Sequence, residues 1–403
     1  MHPLQYRRLT LLALALATSA CARAEGADDL KFRASAGVVH DSNLFRLPES
    51  ANTQALIGKS SAAETISVKT LGLNYNKAYS LQRVELDVSV NDYSYKNFSY
   101  LDFTAYDYKA AWRWSYTPHL YGNFTSSRDQ TLNSFADFQG FNQRNVRVNA
   151  NTRFDASYEL DANWRLLGGL TRSALSNSAP LTQEPDNRTT AVDASVRYVL
   201  ASGSAAAYRL SSTKGNYTTN RPIPSAGLFD NGYTQTDNDV LLTWAISRDT
   251  SADFRVGHRK RKHPNYAQRD FNGMTGAANL SWTISAKTAV VASWTRDLGT
   301  YETSISNFTL SDRFSIGPVW QVSPKATVRV SLDHETRDYR GTPLGAVAVP
   351  RRDNNRNASM SIDWQPVNYM TLNASLQNAR RSSNFAGLDY KSKLISLTAQ
   401  FTY

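Results

Sequence analysis

Cysteine is nearly missing from this 403-residue chain; the only one is Cys21. No disulfide can form within such a chain, and a mature protein without thiols suits an oxidising compartment. Histidine is scarce as well, at six residues, and His258 and His263 are too isolated for a convincing metal site. There is no G-x-S-x-G elbow, no H-E-x-x-H and no phosphate loop, so hydrolase and nucleotide chemistry lack their usual motifs. Neither a cofactor nor a catalytic centre is expected. After Ala24 no long apolar run remains, which argues against a membrane-spanning helix. The mean hydropathy of −0.47 resembles that of a soluble protein.

The first residues read as an export signal: Arg7 and Arg8, an apolar stretch from Leu9 to Ala20, then the small-x-small triplet Ala22-Arg23-Ala24. Residues 1–24 are thus expected to be a signal peptide, cut after Ala24, with 25–403 as one domain. Thr18-Ser19-Ala20 before Cys21 lacks the leucine-like residue of a lipidation signal. Removing Arg7, Arg8 and Arg23 lowers the formal charge from +11 to +8. That balance favours an anionic partner or surface. Export directs the chain away from nucleic acid.

What is abundant is alternation. Ala326 to Asp333 runs Ala-Thr-Val-Arg-Val-Ser-Leu-Asp, and Met370–Gln377 and Val146–Tyr158 alternate in the same way. Side chains on a strand point to opposite faces in turn, so each segment has one apolar and one polar face. The segments run to ten residues or more, longer than the usual strand of a soluble sandwich. Short turns alternate with long polar loops, near 41–63, 93–102, 129–143, 175–188, 215–234, 261–271, 297–310, 338–354 and 381–389. This pattern predicts an all-β fold: a transmembrane up-and-down antiparallel β-barrel of about eighteen strands, with short periplasmic turns and long extracellular loops. Its location would be the outer membrane of a Gram-negative bacterium. Alternation blurs at 64–76 and 204–215.

Aromatic residues mark the short turns. WAISRD, WTISAK and WQVSPK begin at Trp244, Trp282 and Trp320, at equal intervals of 38 residues, and WQPVNY begins at Trp364. With Trp112, Trp114 and Trp164 these residues are expected to form a periplasmic aromatic girdle, because indole is stable where hydrocarbon meets headgroup. The final LISLTAQFTY puts Ile395, Leu397, Ala399, Phe401 and Tyr403 on one face. It resembles the terminal strand that the outer-membrane assembly machinery recognises.

In a barrel the apolar set faces lipid and the polar set faces the lumen. The basic lumen candidates are Arg83, Arg113, Arg147, Arg153, Arg165, Arg197, Arg209, Arg255, Arg313 and Arg329. Two readings stand side by side: arginine rows that guide an anionic solute or polymer, or Arg–carboxylate pairs that staple the wall. Near neighbours Arg83 with Glu85, Arg153 with Asp155 and Arg255 with Asp253 fit the second. The densest basic run, Arg259-Lys260-Arg261-Lys262, is expected at the outer rim, facing lipopolysaccharide phosphates, an acidic glycan or solvent. Asp333-His334-Glu335 is the one triplet with acid–base potential, but parity turns His334 away from the two acids.

The stretch Asp41-Ser42-Asn43-Leu44-Phe45-Arg46 follows the first strand. With the signal peptide, the strand count and the aromatic terminus, it resembles the EpsL-type outer-membrane β-barrel proteins of exosortase-associated exopolysaccharide loci. The resemblance implies a part in exopolysaccharide synthesis or secretion, as a passive exit pore or accessory, with polysaccharide and outer-membrane lipid as partners. The residues themselves read as an ordered turn, with Phe45 and Leu47 against the pore mouth or the rim. A general or solute-specific porin, and a plugged barrel acting as a surface protein or adhesin, are the alternatives.

Overall fold

A computed structural model describes residues 29–139, 141–179, 184–222, 229–347 and 349–403, without the side chains of 219–222 and 229. The signal peptide expected at 1–24, with Cys21, lies outside these residues. The strands are Leu30–Asp41 (β1), Glu64–Tyr79 (β2), Gln82–Tyr95 (β3), Phe103–Thr117 (β4), Leu120–Leu132 (β5), Val146–Glu159 (β6), Trp164–Asn177 (β7), Asn187–Val199 (β8) and Ala205–Pro222 (β9). They continue with Phe229–Ala245 (β10), Thr250–Lys262 (β11), Phe271–Ser285 (β12), Thr288–Gly299 (β13), Phe308–Ser323 (β14), Ala326–Arg340 (β15), Arg352–Val367 (β16), Met370–Ser383 (β17) and Tyr390–Thr402 (β18). Each pairs antiparallel with its neighbours in sequence, and β1 pairs with both β2 and β18, closing an eighteen-stranded barrel. Closure leaves no edge, so every strand finds ladder partners on both sides. At the seam Tyr403 exchanges two backbone hydrogen bonds with Phe32, of 2.7 and 2.9 Å.

β2 and β9 fill the two stretches where alternation blurs. Their small residues, such as Ala205, Ala206, Ala207 and Gly215, carry little information about facing. Elsewhere the two faces separate cleanly. Leu71, Leu170, Val240, Ile316, Met360 and Leu397 lie exposed on the outside, as hydrocarbon contact requires. Buried apolar side chains do not form a central core. Leu44, Phe45, Leu47, Ile57, Phe98, Leu101 and Phe135 gather in one cluster at the long-loop end.

The 38-residue tryptophan repeat has a structural cause. In WAISRD, WTISAK and WQVSPK the fourth residue, Ser247, Ser285 or Ser323, accepts through Oγ from the backbone N–H two residues later, at 3.2, 3.3 and 3.2 Å. That side-chain turn reverses the chain. The ladder shifts register just after Trp282, Trp320 and Trp364, as a β-bulge does. The residue after each of these tryptophans then donates its N–H to the preceding turn: Thr283 to Asp249 at 2.8 Å, Gln321 to Lys287 at 2.7 Å and Gln365 to Lys325 at 2.8 Å. Each period therefore ties one turn to the next. Trp112, Trp164, Trp244, Trp282, Trp320 and Trp364 project outward near the turns, roughly half exposed. Trp114 differs. It lies flat against Phe154 at 5.6 Å, across Gly122, where an added Cβ would come within 2.8 Å of the indole.

Candidate functional site

The stretch Asp41–Arg46 is where the mouth is organised. Asp41 ends β1 with its side chain inward and buried. Its carboxylate accepts from the Asn43 backbone N–H at 2.9 Å, Arg46 Nη1 at 2.7 Å and Ser392 Oγ on β18 at 2.6 Å. Asn43 in turn donates to the carbonyls of Leu47 and Lys391 at 2.8 and 2.9 Å. Arg46 sits in the left-handed backbone region, φ 56°, which a long side chain adopts at a cost and which these contacts hold. The turn aims Phe45 into the apolar cluster, where it is 1% exposed and meets Phe98 at 4.8 Å and Phe135 at 4.6 Å. Beside it, Glu64 is fully buried and accepts from the backbone N–H groups of Asn97 and Phe98, which fixes the β3–β4 loop.

Phe135 belongs to the β5–β6 connection, and residues 133–139 of that connection fold inward. The tip reaches strands on the opposite side of the eighteen-stranded ring. The Asp137 carbonyl accepts from Tyr301 Oη at 2.5 Å. The Asp137 carboxylate meets Arg337 of β15 at 2.9 Å and Arg381 of β17 at 3.5 Å, and Arg381 also donates to the Ala136 carbonyl at 2.5 Å. The segment is therefore a bar across the mouth, apolar at its root and ionic at its tip.

The ionic end continues along the wall. Arg351 binds Asp353 at 2.6 Å and stacks on Tyr339, its guanidinium 3.8 Å from the ring centre. Arg337 also meets Glu335 at 3.3 Å, and Glu335 meets Arg313 at 3.4 Å. Cations and carboxylates alternate along this chain: Arg351, Asp353, Arg381, Asp137, Arg337, Glu335, Arg313. It begins and ends on a cation, and Arg313 remains 59% exposed toward the lumen. Burial pushes the Tyr301 phenol up to about 12, and the Asp137 charge adds to the shift. In the β7–β8 loop, burial raises the Glu184 carboxyl above its ordinary value; Arg147, bonded to it at 2.9 Å, opposes this and Asp137 reinforces it.

The lumen arginines expected from parity do face inward, and nearly all are paired. Arg83 and Arg113 share Glu85, Arg153 bridges Asp155 and Asp193, and Arg165 meets Glu159. Arg209 and Arg255 share Asp239, and Arg329 meets Asp363. Arg197 has no ion pair among the described residues. One expected pair is corrected: Arg255 reaches across to Asp239 of β10 rather than to Asp253, because Asp239 is buried between it and Arg209 and solvates both. The basic rim is corrected too. Arg259 and Arg261 point inward, to Asp237 at 2.5 Å and to the Gln235 amide oxygen at 2.9 Å, while Lys260 and Lys262 point outward. Period-two geometry divides any run of charge on a strand. His334 likewise faces outward, away from Asp333 and Glu335. The residues that hold the tip, Asp137, Tyr301, Arg337 and Arg381, were not singled out by the sequence. Inward parity was the only signal for the two arginines.

A family model described as "Putative beta-barrel porin 2" matches residues 240–403. No curated protein matches the chain. Among solved structures, OccK2 (OpdF) of Pseudomonas aeruginosa is similar at 12% identity, with 93% of this chain and 98% of that chain covered and a TM-score of 0.52. Its complex with glucuronate gives 11% identity, the same coverage and a TM-score of 0.51. OpdK of Pseudomonas aeruginosa with vanillate gives 12% identity, 93% and 99% coverage and a TM-score of 0.50. At such identity the likeness is one of fold. The chain has the closed-barrel fold of outer-membrane porins. These matches lend no support to the exopolysaccharide association that the resemblance implied.

Proposed function

We propose that the protein is a passive, solute-selective porin for small anions. The observation that carries this reading is the bar at 133–139, held to the far wall by an ionic chain that begins and ends on a cation. A bar limits the size of what passes, and a surplus of fixed positive charge in a narrow wet space favours anions. Arg113, Arg313 and Arg329, each about half exposed, extend the favourable path along the wall. The glucuronate and vanillate bound to two structural neighbours are small carboxylates, which supports this solute class. Passage needs no covalent step.

The test is planar-bilayer recording of the refolded protein. Expected are steady single-channel currents, a reversal potential on the anion side, and block by millimolar amounts of a small carboxylate such as glucuronate. A cation-side reversal potential would refute the reading. A barrel that is silent in salt but engaged by an acidic glycan polymer would restore the exopolysaccharide reading instead.

A further inference from the structure

The outer wall carries a feature that a lipid-facing surface does not need. A furrow of about 1160 Å³ runs across the outside of β11 to β18. It follows two neighbouring rows of directly paired residues. One descends from Lys391 through Arg380, Arg356 and His334 to Phe314 and Trp294. Because barrel strands tilt, a row along the hydrogen-bond direction climbs the wall. Its low end lies near the short turns, at Ala252 and Phe254 early in β11. Its high end lies beside the long loops, at Lys391, the second residue of β18. The low part is apolar, floored by Ala252, Ala278 and Ala292 and walled by Phe254, Leu280 and Trp294. The high part is cationic. Outward on β16, Ala358, Met360, Ile362 and Trp364 give way at once to Arg356. On β18, Lys391 lines the upper end, and Lys393, outward between it and Ile395, lies just beside the furrow, opposite its lining residue Asn378.

The charges there are unbalanced. Arg380 stands directly opposite both Arg356 and Lys391, and like charges facing each other across a ladder repel. Among the described residues Arg356, Arg380 and Lys393 have no ion pair, and Lys391 meets only Glu49, at 2.9 Å. Other outward cations near this level are neutralised: Arg296 by Asp312, and Arg340 and Arg352 by Asp338. A cationic shelf above an apolar trough complements an amphiphile with phosphates at its head and acyl chains below.

We propose that this furrow binds a phosphorylated glycolipid of the outer leaflet, of the lipid A class. Its phosphates lie on Arg356, Arg380 and Lys393, and an acyl chain lies along the alanine floor. The site is independent of what the lumen conducts.

The protein refolded in detergent free of lipopolysaccharide is titrated with bisphosphorylated lipid A and, separately, with the same lipid dephosphorylated, and bound lipid is counted by native mass spectrometry. Expected is one tightly held equivalent of the phosphorylated form and at least about tenfold weaker binding of the dephosphorylated form. The triple variant R356Q/R380Q/K393Q should lose at least about tenfold in affinity, whereas K260Q/K262Q, outward cations outside the furrow, should not. Ala292→Phe fills the trough with another apolar side chain and should weaken binding without touching a charge. Equal affinity for the two lipids overturns the proposal. So does equal loss in the furrow and control variants, which would mean diffuse charge attraction. A dimer cross-linked through residue 356 that excludes lipid would assign the face to a second copy and overturn it as well.

Discussion

The two sides of the barrel mouth are built from opposite materials. On the side of β1 to β6, the connections are joined by rings: Phe45 packs with its centre 4.8 Å from that of Phe98 and 4.6 Å from that of Phe135, sealed from water. On the side of β10 to β17, they are joined by charge: Arg269 with Asp230 at 2.7 Å and with Glu302, Arg351 with Asp353, and Arg337 and Arg381 with Asp137. Apolar burial is indifferent to pH and strengthened by many salts, while ion pairs weaken with salt and with titration. The bar at 133–139 is fastened to both. It should therefore be fixed permanently at its root and conditionally at its tip.

The strongest way to break that contrast is to remove the root. Phe45→Ala deletes the ring that touches both others, and buried Phe→Ala changes cost about 3–5 kcal/mol. The barrel's strand pairing does not depend on this cluster, so the variant should still fold and still shift in gel mobility on heating. The bar should come loose: larger, flickering single-channel currents and protease cleavage within 133–139 from outside. A quiet trace at the wild-type level would show that the rings do not hold the bar.

The tip comes next. Asp137→Ala removes the one carboxylate that Arg337 and Arg381 share, a partly exposed contact worth about 1–3 kcal/mol. Conductance should rise less than in Phe45→Ala, the root should stay protease-resistant, and anion selectivity should increase because one negative charge is removed from between two guanidiniums, each left with a single carboxylate neighbour. Raising salt from about 0.1 M to about 1 M should move wild type toward the Asp137→Ala behaviour and leave the Phe45→Ala defect unchanged, since screening acts on the tip alone. An identical salt response in both variants would erase the distinction between the two sides.

The barrel itself was legible in the sequence because a lipid–lumen boundary forces period-two alternation on most strands, and three short turns, after Trp244, Trp282 and Trp320, repeat one local solution with its tryptophan and serine. The site was legible only in part, for a physical reason. Asp137 meets Arg337 across 200 residues of chain, and no local pattern encodes that distance. By parity Arg337 and Arg381 were two inward arginines among many. Phe45 stood in a stretch noticed for its resemblance, yet its role depends on Phe98 and Phe135, which lie in loops without periodicity. By contrast, the division of Arg259 and Arg261 from Lys260 and Lys262 followed from alternation alone and needed only that the strand run as far as Lys262.

The finest test of the conditional tip is pH. Glu184 is held above the ordinary glutamate range by burial, with Asp137 adding to the shift and Arg147 opposing it. In the window between the ordinary value and the raised one, the folded protein keeps a proton that the unfolded chain has released. This group's contribution to stability therefore falls as pH rises through that window, and acidification restores it. Acidification also neutralises Glu184 and leaves Arg147 without its counter-charge, so anion preference should grow as pH drops from about 8 to about 4, ahead of the other carboxylates. Reversal potentials measured across that range should show the change in wild type. In Glu184→Gln they should stay flat in the upper part of the window, at the acidic wild-type value. If the variant titrates as wild type does there, the pH response belongs to another group, and the loop carrying Glu184 has no part in setting the charge at the bar.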